Sequence, residues 1–415
     1  MTMSSASVVF TPSGKRGSFP HGTPVLQAAR SLGVDLDSVC GGRGICARCQ
    51  VIHTTGEFPK HGLVSAASHL SPFDATEEKL VRKTTRLKSG RRLGCTAQIL
   101  GDCVIDVPPE SQIHRQVVRK EAEIREIKID PVVRLYFVEV EPPKMEDPTS
   151  DLRRLLKALE AEWELQKIKV PHSILEMLQP TLREGKWKVT VAVDHDGIMR
   201  GIWSDFREHL YGIAVDIGST TLAAHLCELG SGEVLSSAGM MNPQIRFGED
   251  LMSRVSYVML NQDGEKELTK SVREALNQLS LEVCEQAGIQ KEEVMEMVMV
   301  GNPVMHHLVH GINPIELGGA PFALATDEAI ITPASELDLE LHQLAQTYTL
   351  PCIAGHVGAD TAAMVLAEAP HLQEAITLLV DVGTNAEIVL GNRDRLLAAS
   401  SPTGPAFEGA QISSG

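Results

Sequence analysis

The sequence predicts a multidomain protein that combines α+β and α/β units, and three observations support this fold class. The chain has 415 residues, of which 43% are hydrophobic and 22% charged, a composition typical of globular proteins of two to four domains. Four cysteines are grouped in its first quarter. A short Asp-x-Gly turn between apolar segments occurs at Asp216 and again at Asp381.

Charge and composition exclude several classes of function. The net charge of −16 argues against a nucleic-acid or anionic-membrane partner, because either would need a basic face. Aromatic residues are only 4%, too few for base-stacking platforms. The first ten residues do not resemble a secretory signal, and we find no apolar run of about 18 to 20 residues. Together with eight cysteines, this pattern predicts a cytoplasmic protein without a membrane span.

The chain opens with the pattern of a β-hairpin followed by a short helix. Alternating residues at 7–10 and 15–19 predict two strands around the turn at Pro12, Ser13 and Gly14. A helix is predicted from Pro24, with Thr23 as its N-cap and Gly33 at its end.

The cysteine loop that follows organises the first domain. Cys40, Cys46 and Cys49 are spaced C-x5-C-x2-C, and Cys95 lies further along. This set matches the ligands of a [2Fe–2S] ferredoxin, although the plant-type first gap is one residue shorter. A zinc site or buried free thiols are the alternatives, but zinc sites usually pair two C-x2-C knuckles. With the returning strands after Cys95, the order predicts a β-grasp ferredoxin domain over 1–108.

Two further features of this domain have a structural and a functional interpretation. Cys103 lies eight residues past Cys95 on a predicted strand, which favours a core position over a ligand role. A basic segment predicts a solvated helix face, with a docking rim for an acidic redox partner as the alternative. Its members are Lys79, Arg82, Lys83, Arg86, Lys88, Arg91 and Arg92.

Residues 109–208 predict a linker and a small α+β middle domain. Strands are predicted at 127–129, 132–140 and 186–193, and apolar spacing over 151–165 predicts an amphipathic helix. We identify no catalytic cluster in this segment and expect a hinged spacer.

The two Asp-x-Gly turns, which we call the first turn (216–221) and the second turn (381–385), predict a duplicated phosphate clamp. Glycine lets backbone amides approach phosphate oxygens, hydroxyls donate further hydrogen bonds, and aspartate can hold Mg2+. The candidate residues are Asp216, Gly218, Ser219, Thr220 and Thr221 in the first turn and Asp381, Gly383, Thr384 and Asn385 in the second.

Between the turns, the sequence repeats a buried strand, a glycine-bearing turn and a helix start, around Gly301 and around Gly358. His306, His307 and His310 lie on one predicted helix. Without an acidic or cysteine companion nearby in sequence, we interpret them as packing or partner-facing residues rather than metal ligands.

The paired turns resemble the acetate and sugar kinase/Hsc70/actin superfamily, in which two ribonuclease-H-like lobes surround a nucleotide cleft. Behind a ferredoxin domain and a middle domain, the arrangement is similar to the reductive activators of corrinoid-dependent enzymes. The resemblance implies an actin/Hsp70-type nucleotide domain over 209–415. Only about 40 residues follow position 376, so we expect this domain to be incomplete at its C-terminus.

The resemblance implies an ATP- and Mg2+-dependent activase that passes one electron from a [2Fe–2S] cluster to an inactive Co(II) corrinoid. The expected partners are a corrinoid methyltransferase or corrinoid protein and a low-potential electron donor, with a homodimer through the nucleotide domain when the protein is full length. No catalytic residue is assigned. The alternatives are a small-molecule kinase with an accessory cluster and a redox sensor that controls the nucleotide lobes.

Overall fold

The computed structural model describes residues 5–34, 36, 38, 42, 44, 46–59, 61–84, 87–108, 111, 128–248, 250–383 and 385–402. Two predicted site residues, Cys40 and Thr384, lie outside this set. Within it, the chain forms four principal sheets and a small two-stranded one, which confirms the predicted mixed fold class.

The N-terminal unit is a five-stranded sheet in the order β2-β1-β7-β3-β6. β1 and β2 form the predicted antiparallel hairpin, while β1 and β7 are parallel. The predicted N-cap is wrong, because α1 begins after Pro24 and the Thr23 hydroxyl donates to the Pro20 carbonyl at 2.7 Å. The elements are β1 (Ser5–Thr11), β2 (Arg16–Pro20), α1 (Val25–Ser31), β3 (Gln50–Thr54), β4 (Gly56–Phe58), β5 (Leu63–Ser65), α2 (Ala75–Thr84), β6 (Arg92–Leu93) and β7 (Cys103–Asp106).

The second unit is an antiparallel sheet in the order β10-β9-β8, with two helices packed against it. Its elements are β8 (Val133–Glu139), α3 (Asp151–Trp163), α4 (His172–Glu184), β9 (Lys188–Asp194) and β10 (Met199–Ser204). Ser150 caps α3, and the buried Leu155 and Leu159 give it the expected apolar face. Residues 128 and 129 form no strand, contrary to our prediction for 127–129, and residue 127 lies outside the described residues.

The third unit is a six-stranded sheet in the order β13-β12-β11-β14-β16-β15. β11, β12 and β13 are an antiparallel meander, and β14 and β16 continue the sheet parallel to β11. Its elements are β11 (Tyr211–Ile217), β12 (Thr221–Glu228), β13 (Val234–Met241), α5 (Leu251–Leu260), α6 (Gly264–Ala287), β14 (Val294–Gly301), α7 (Pro303–Val309), β15 (Ile330–Pro333) and β16 (Gln346–Thr349). The carboxyl ends of the three parallel strands therefore meet at one edge.

The last unit follows helix α8 (Ala359–Glu368) and is an antiparallel sheet of β17 (Thr377–Val382), β18 (Asn385–Gly391) and β19 (Leu396–Pro402). One face of this sheet is apolar and exposed, as the cross-strand pairs Leu378–Leu390 and Val380–Ile388 illustrate. In the part of the chain that the structure describes, no helix combines the length and hydrophobicity needed to span a bilayer.

The units contact one another through specific side chains. The second unit joins the six-stranded sheet through the Arg207–Glu293 ion pair at 2.6 Å and a tilted contact between the rings of Trp203 and His342. The N-terminal unit contacts the same body at the end of α1, where Arg30 Nε donates to the Arg246 carbonyl at 2.5 Å.

Candidate functional site

The cysteine loop and the Cys95 turn are held together by backbone pairing. β3 and β6 are antiparallel neighbours, with Gln50 opposite Leu93. The Gly94 amide donates to the Cys49 carbonyl at 2.7 Å, so the chain brings Cys95 back beside the end of the loop. Cys49 is buried, whereas Cys46 and Cys95 are half-buried.

Gly42 and Gly44 give the loop left-handed backbone conformations where it passes this turn and α2. A Cβ built on Gly42 would lie 4.0 Å from Cys95 Cβ. Gly44 has a φ of +73°, and its Cβ would be 2.7 Å from Thr76 Cγ2 and 3.5 Å from Thr96 Cγ2. A side chain at position 44 would therefore be strained and would collide with Thr76 on α2. This wrapping fits a cluster loop, in which thiolates converge from one loop and one distant turn.

Cys40, the first of the four predicted ligands, lies outside the described residues. Among the described residues, no group of three or more His, Cys, Asp or Glu side chains is arranged to hold a metal ion. The assignment of Cys40, Cys46, Cys49 and Cys95 as ligands stays a prediction, supported by thiol chemistry and by the loop contacts.

Cys103 is a core residue, as predicted. It is fully buried on β7 and packs in the hydrophobic core of the N-terminal unit. Burial, with a smaller contribution from Asp102, raises the pKa of its thiol to about 12. Cys103 therefore stays protonated at neutral pH.

A buried ion pair that the sequence analysis missed supports the Cys95 turn. Glu77 on α2 is fully buried and accepts hydrogen bonds from Arg92 Nε at 3.0 Å and Nη2 at 2.8 Å. The same carboxylate accepts the Leu93 amide at 2.7 Å. Arg92 is only 11% exposed, so its assignment to the basic solvated face is wrong.

The first turn joins β11 to β12, and three consecutive carbonyls in it are held from one side. Asn242 Nδ2 donates to the Gly218 carbonyl at 2.8 Å, and the Asn242 amide donates to the Thr220 carbonyl at 2.8 Å. Between them, the Ser219 carbonyl accepts Nη2 of the fully buried Arg254. In a planar trans peptide the N–H points opposite to the C=O, so the amides of Ser219 and Thr220 point away from these donors.

The second turn joins β17 to β18 and is closed by the Gly383 amide, which donates to the Asn385 carbonyl at 2.9 Å. Asp381 on β17 is the register partner of Glu387 on β18. Opposed residues on neighbouring strands project from the same face, so both carboxylates face the same side of the sheet.

The two turns face each other across one cleft of about 200 Å3. Its lining includes seven of the nine predicted turn residues: Asp216, Gly218, Ser219, Thr221, Asp381, Gly383 and Asn385. Thr220 is buried behind the turn rather than in the lining, and Thr384 lies outside the described residues. The lining also includes Asn302, Asp360 and Glu387, which the sequence analysis did not assign.

Asp360 reaches the cleft because two loops after parallel strands pack without side chains between them. A Cβ on Gly358 would lie 2.5 Å from the Gly301 carbonyl oxygen and 2.6 Å from Asn302 Cα, so only glycine fits there. Asn302 caps α7 through the Met305 amide at 3.0 Å. The signal available in the sequence was the repeated strand, glycine turn and helix start, since ligands bind outside the carboxyl ends of parallel strands.

The cleft concentrates negative charge. Burial raises the pKa of Asp360 to about 6, and the charges of Asp216 and Asp381 add to the shift. Burial and the charge of Asp360 raise the pKa of Glu387 to about 7, against a hydrogen bond from Ser400 Oγ at 3.1 Å. Carboxylate oxygens are the ligands that Mg2+ prefers, whereas a bare phosphate would be repelled. The arrangement therefore suits a phosphate group accompanied by a divalent cation.

His306 and His307 lie on α7 and His310 follows its last residue, and the ring of His306 contacts the other two rings. His307 Nε2 accepts the Ala325 amide at 3.0 Å, and His310 Nε2 lies 2.9 Å from Thr349 Oγ1. His306 is 2% exposed, and among the described residues neither of its ring nitrogens has a hydrogen-bond partner. Burial, with His310 and His307 nearby, lowers the pKa of His306 to about 4.

Family models match the chain in four consecutive segments. Residues 10–99 match a 2Fe-2S iron-sulfur cluster binding domain and residues 122–209 the RACo linker region. Residues 211–373 match the RACo middle region and residues 375–415 the C-terminal domain of RACo, the ASKHA domain. The chain belongs to the RACo family. The predicted linker and middle domain, 109–208, overlaps the segment that matches the RACo linker region, 122–209.

Two curated relatives of this RACo-family chain have names that state a function. The chain is 30% identical over 398 residues to the corrinoid activation enzyme RamQ of Eubacterium limosum, covering 94% of this chain and 60% of RamQ. It is 29% identical over 215 residues to the [Co(II) methylated amine-specific corrinoid protein] reductase of Methanosarcina barkeri, covering 50% of this chain and 38% of that protein.

A solved structure, titled reductive activator for corrinoid,iron-sulfur protein, is similar along almost the whole chain. It superposes with a TM-score of 0.65 at 30% identity, covering 99% of this chain and 65% of that one. The chain thus spans about 60 to 65% of the two relatives that it matches along nearly all of its own length.

Proposed function

We propose that this RACo-family protein is an ATP-dependent reductive activase of a corrinoid protein. One electron, taken from a low-potential cellular donor, would reduce an inactive Co(II) corrinoid on the partner to Co(I). The observation that supports the proposal is that one chain contains both sites. A cysteine loop is hydrogen-bonded to the strand end before Cys95, and a cleft lies between the two Asp-x-Gly turns. The activities named for the relatives RamQ and the Co(II) corrinoid protein reductase support it over a kinase or a redox sensor.

In the N-terminal unit, Cys40, Cys46, Cys49 and Cys95 would hold a [2Fe–2S] cluster, which supplies one-electron transfer at low potential when bound. Cys103 takes no part, because its buried thiol stays protonated. The Glu77–Arg92 pair fixes β6, and β6 fixes the position of Cys95.

In the cleft, the amides of the first turn would bind phosphate oxygens while Asp216 and Asp381 hold Mg2+ directly or through water. A nucleotide can favour one conformation only through a difference in its affinity for two conformations. A tenfold difference corresponds to about 1.4 kcal/mol, and 100 mV for one electron corresponds to about 2.3 kcal/mol. A difference of less than a hundredfold in affinity is therefore enough to drive an uphill electron transfer of that size.

The remaining partner and location assignments are part of the same proposal. A cytoplasmic location is supported by the use of cysteine in the sequence, in which four of the eight cysteines are grouped as predicted cluster ligands. A homodimer through the nucleotide domain, which the family resemblance implies for the full-length protein, stays a prediction. Light scattering of the full-length protein would test the dimer.

The decisive experiment mixes the anaerobic, reduced full-length protein with a Co(II) corrinoid protein and follows Co(I) absorption with and without Mg-ATP. We expect repeated turnovers that Mg-ATP accelerates. Asp216→Ala should remove the acceleration and leave reduction of the cluster intact. Transfer of phosphate from ATP to a small acid or sugar would instead support the kinase. An intact, reducible cluster that never yields Co(I) with several corrinoid proteins would support the sensor.

A further inference from the structure

The end of helix α1 is seated on the body that carries the first turn. The Arg30 guanidinium lies over the rings of Tyr257 at 4.8 Å and Phe247 at 5.5 Å, measured to the ring centroids. Its Nε donates to the Arg246 carbonyl at 2.5 Å. Cation–π stacking and a charge-assisted hydrogen bond thus define one orientation for the N-terminal unit.

The segment that receives Arg30 is the segment that holds the first turn. Residues 242–254 provide Asn242, which holds the carbonyls of Gly218 and Thr220, and Arg254, which holds the carbonyl of Ser219. The ring of Phe247 therefore contacts Arg30 within the same stretch of chain that orients the amides of the first turn.

Arg254 has a fixed position within this segment. Its Nε donates to the Gly248 carbonyl at 2.9 Å and its Nη1 to Gln244 Oε1 at 3.1 Å. Arg254 is therefore bound on both sides of Arg246 and Phe247, the residues that contact Arg30. A Cβ on Gly248 would lie 2.6 Å from Ser253 Cβ and 2.9 Å from the Arg254 nitrogen. The backbone is closely packed at Gly248. Because the Gly248 carbonyl is bonded to Arg254, a displacement of Phe247 and Gly248 moves the guanidinium that holds Ser219.

We propose that the segment formed by residues 242–248 and 250–254 couples the docking of the N-terminal unit to the geometry of the first turn. In this coupling Arg30 is the docking residue and Arg254 is a positioning residue. The inference deepens the proposed function, on which it relies only for what the two sites bind. Coupling between sites is reciprocal, so a ligand that orders the first turn also favours the docked N-terminal unit by the same factor. The nucleotide would in this way select the position from which the electron is delivered.

Hydrogen exchange of the full-length protein without nucleotide or corrinoid tests the coupling. Arg30→Ala should accelerate exchange in two places, the seat at 246–258 and the first turn at 217–222, by about fivefold or more, the lower end of typical coupling. Arg16→Ala is the matched control, because Arg16 is an exposed arginine of the same unit. It should change neither segment.

Each pattern of exchange decides the question. Faster exchange at the seat with an unchanged first turn would overturn the coupling, and no change at either segment would overturn the docking role of Arg30. A failure of corrinoid reduction would leave both readouts intact, so the proposed function and this inference can fail separately.

Mg-ATP binding gives a second, functional readout. Arg30→Ala should weaken Mg-ATP binding by about fivefold or more, although Arg30 lies outside the cleft. In an Arg254→Lys background, which keeps the charge but not the several donors of a guanidinium, the same Arg30→Ala change should have less than half of that effect. Additive effects of the two substitutions would overturn the role of Arg254.

Discussion

Asp381 and Glu387 are cross-strand partners on β17 and β18, and their carboxylates face the same cleft as Asp360. Like charges placed directly opposite each other destabilise a sheet. The fold tolerates this arrangement because Glu387 takes up a proton near neutral pH, where its pKa is raised to about 7.

Removal of this carboxylate should stabilise the unliganded protein at neutral pH. The folded-state pKa of Glu387 lies above its unfolded value, so the folded state binds the extra proton and stability falls as pH rises from about 4.5 to about 7. Glu387→Gln should therefore raise the urea midpoint at pH 7.5 more than at pH 5. The exposed Glu336→Gln should change neither midpoint. An equal effect at both pH values would contradict the raised pKa.

Cation binding in the cleft should release protons. Asp360 and Glu387, with pKa values of about 6 and 7, hold protons that Mg2+ would displace below pH 7. Titration of Mg-ATP in two buffers of different ionisation enthalpy at pH 6.2 should report net proton release. The release should decrease at pH 8 and in Glu387→Gln. Equal heats in both buffers at pH 6.2 would contradict it.

The Glu77–Arg92 pair should be essential for the N-terminal unit. Breaking a buried ion pair by removing one partner typically costs about 3–5 kcal/mol, because the other charge is left buried. Glu77→Gln should lower the free energy of unfolding by that order and reduce the cluster content of reconstituted protein. Its exposed neighbour is the control, as Glu78→Gln should leave both unchanged. Equal stability of the two variants would show that the pair contributes little.

Cysteine substitutions should separate ligands from core residues. Cys46→Ser should abolish the visible absorption of the [2Fe–2S] cluster, because a cluster iron would lose a thiolate. Cys103→Ala should keep that spectrum, since its thiol is buried and protonated on β7. An unchanged spectrum in Cys46→Ser would remove Cys46 from the ligand set.

His306 should limit stability in acid. Its pKa in the folded state, about 4, lies below the unfolded value of 6.5. The unfolded chain therefore binds more protons between these values, and stability is lost as pH falls through them. His306→Leu should raise the free energy of unfolding, more at pH 5 than at pH 8. The exposed His371→Leu is the control, and a pH-independent effect of His306→Leu would indicate packing alone.

Local patterns in the sequence were sufficient for elements whose determinants lie close together in the chain. Leu155 and Leu159 fall on one face of α3 and are buried as predicted. Helix α4 escaped prediction because Pro180 lies inside it, and a proline normally ends a helix. Arg92 was assigned to the solvent because its partner, Glu77, belongs to another element.

The same distinction explains the site. The two turns are contiguous in sequence, so their glycines and hydroxyls were recognisable. Asp360 and Glu387 join them only because β11, β14 and β16 are parallel neighbours and because β17 pairs with β18. The spacing of residues along the chain does not specify that strand order.

The parallel pairing of β1 with β7 also determines when the first sheet can form during synthesis of the chain. Val8 pairs with Cys103, so this side of β1 has no partner strand until β7 has been made. At about 5–20 residues per second, a ribosome needs on the order of 5–20 s to make the intervening chain. The cysteine loop therefore leaves the ribosome well before the sheet that supports it can close. Iron and sulfide that arrive during this interval meet an open loop, so loading of the cluster would follow the synthesis of β7.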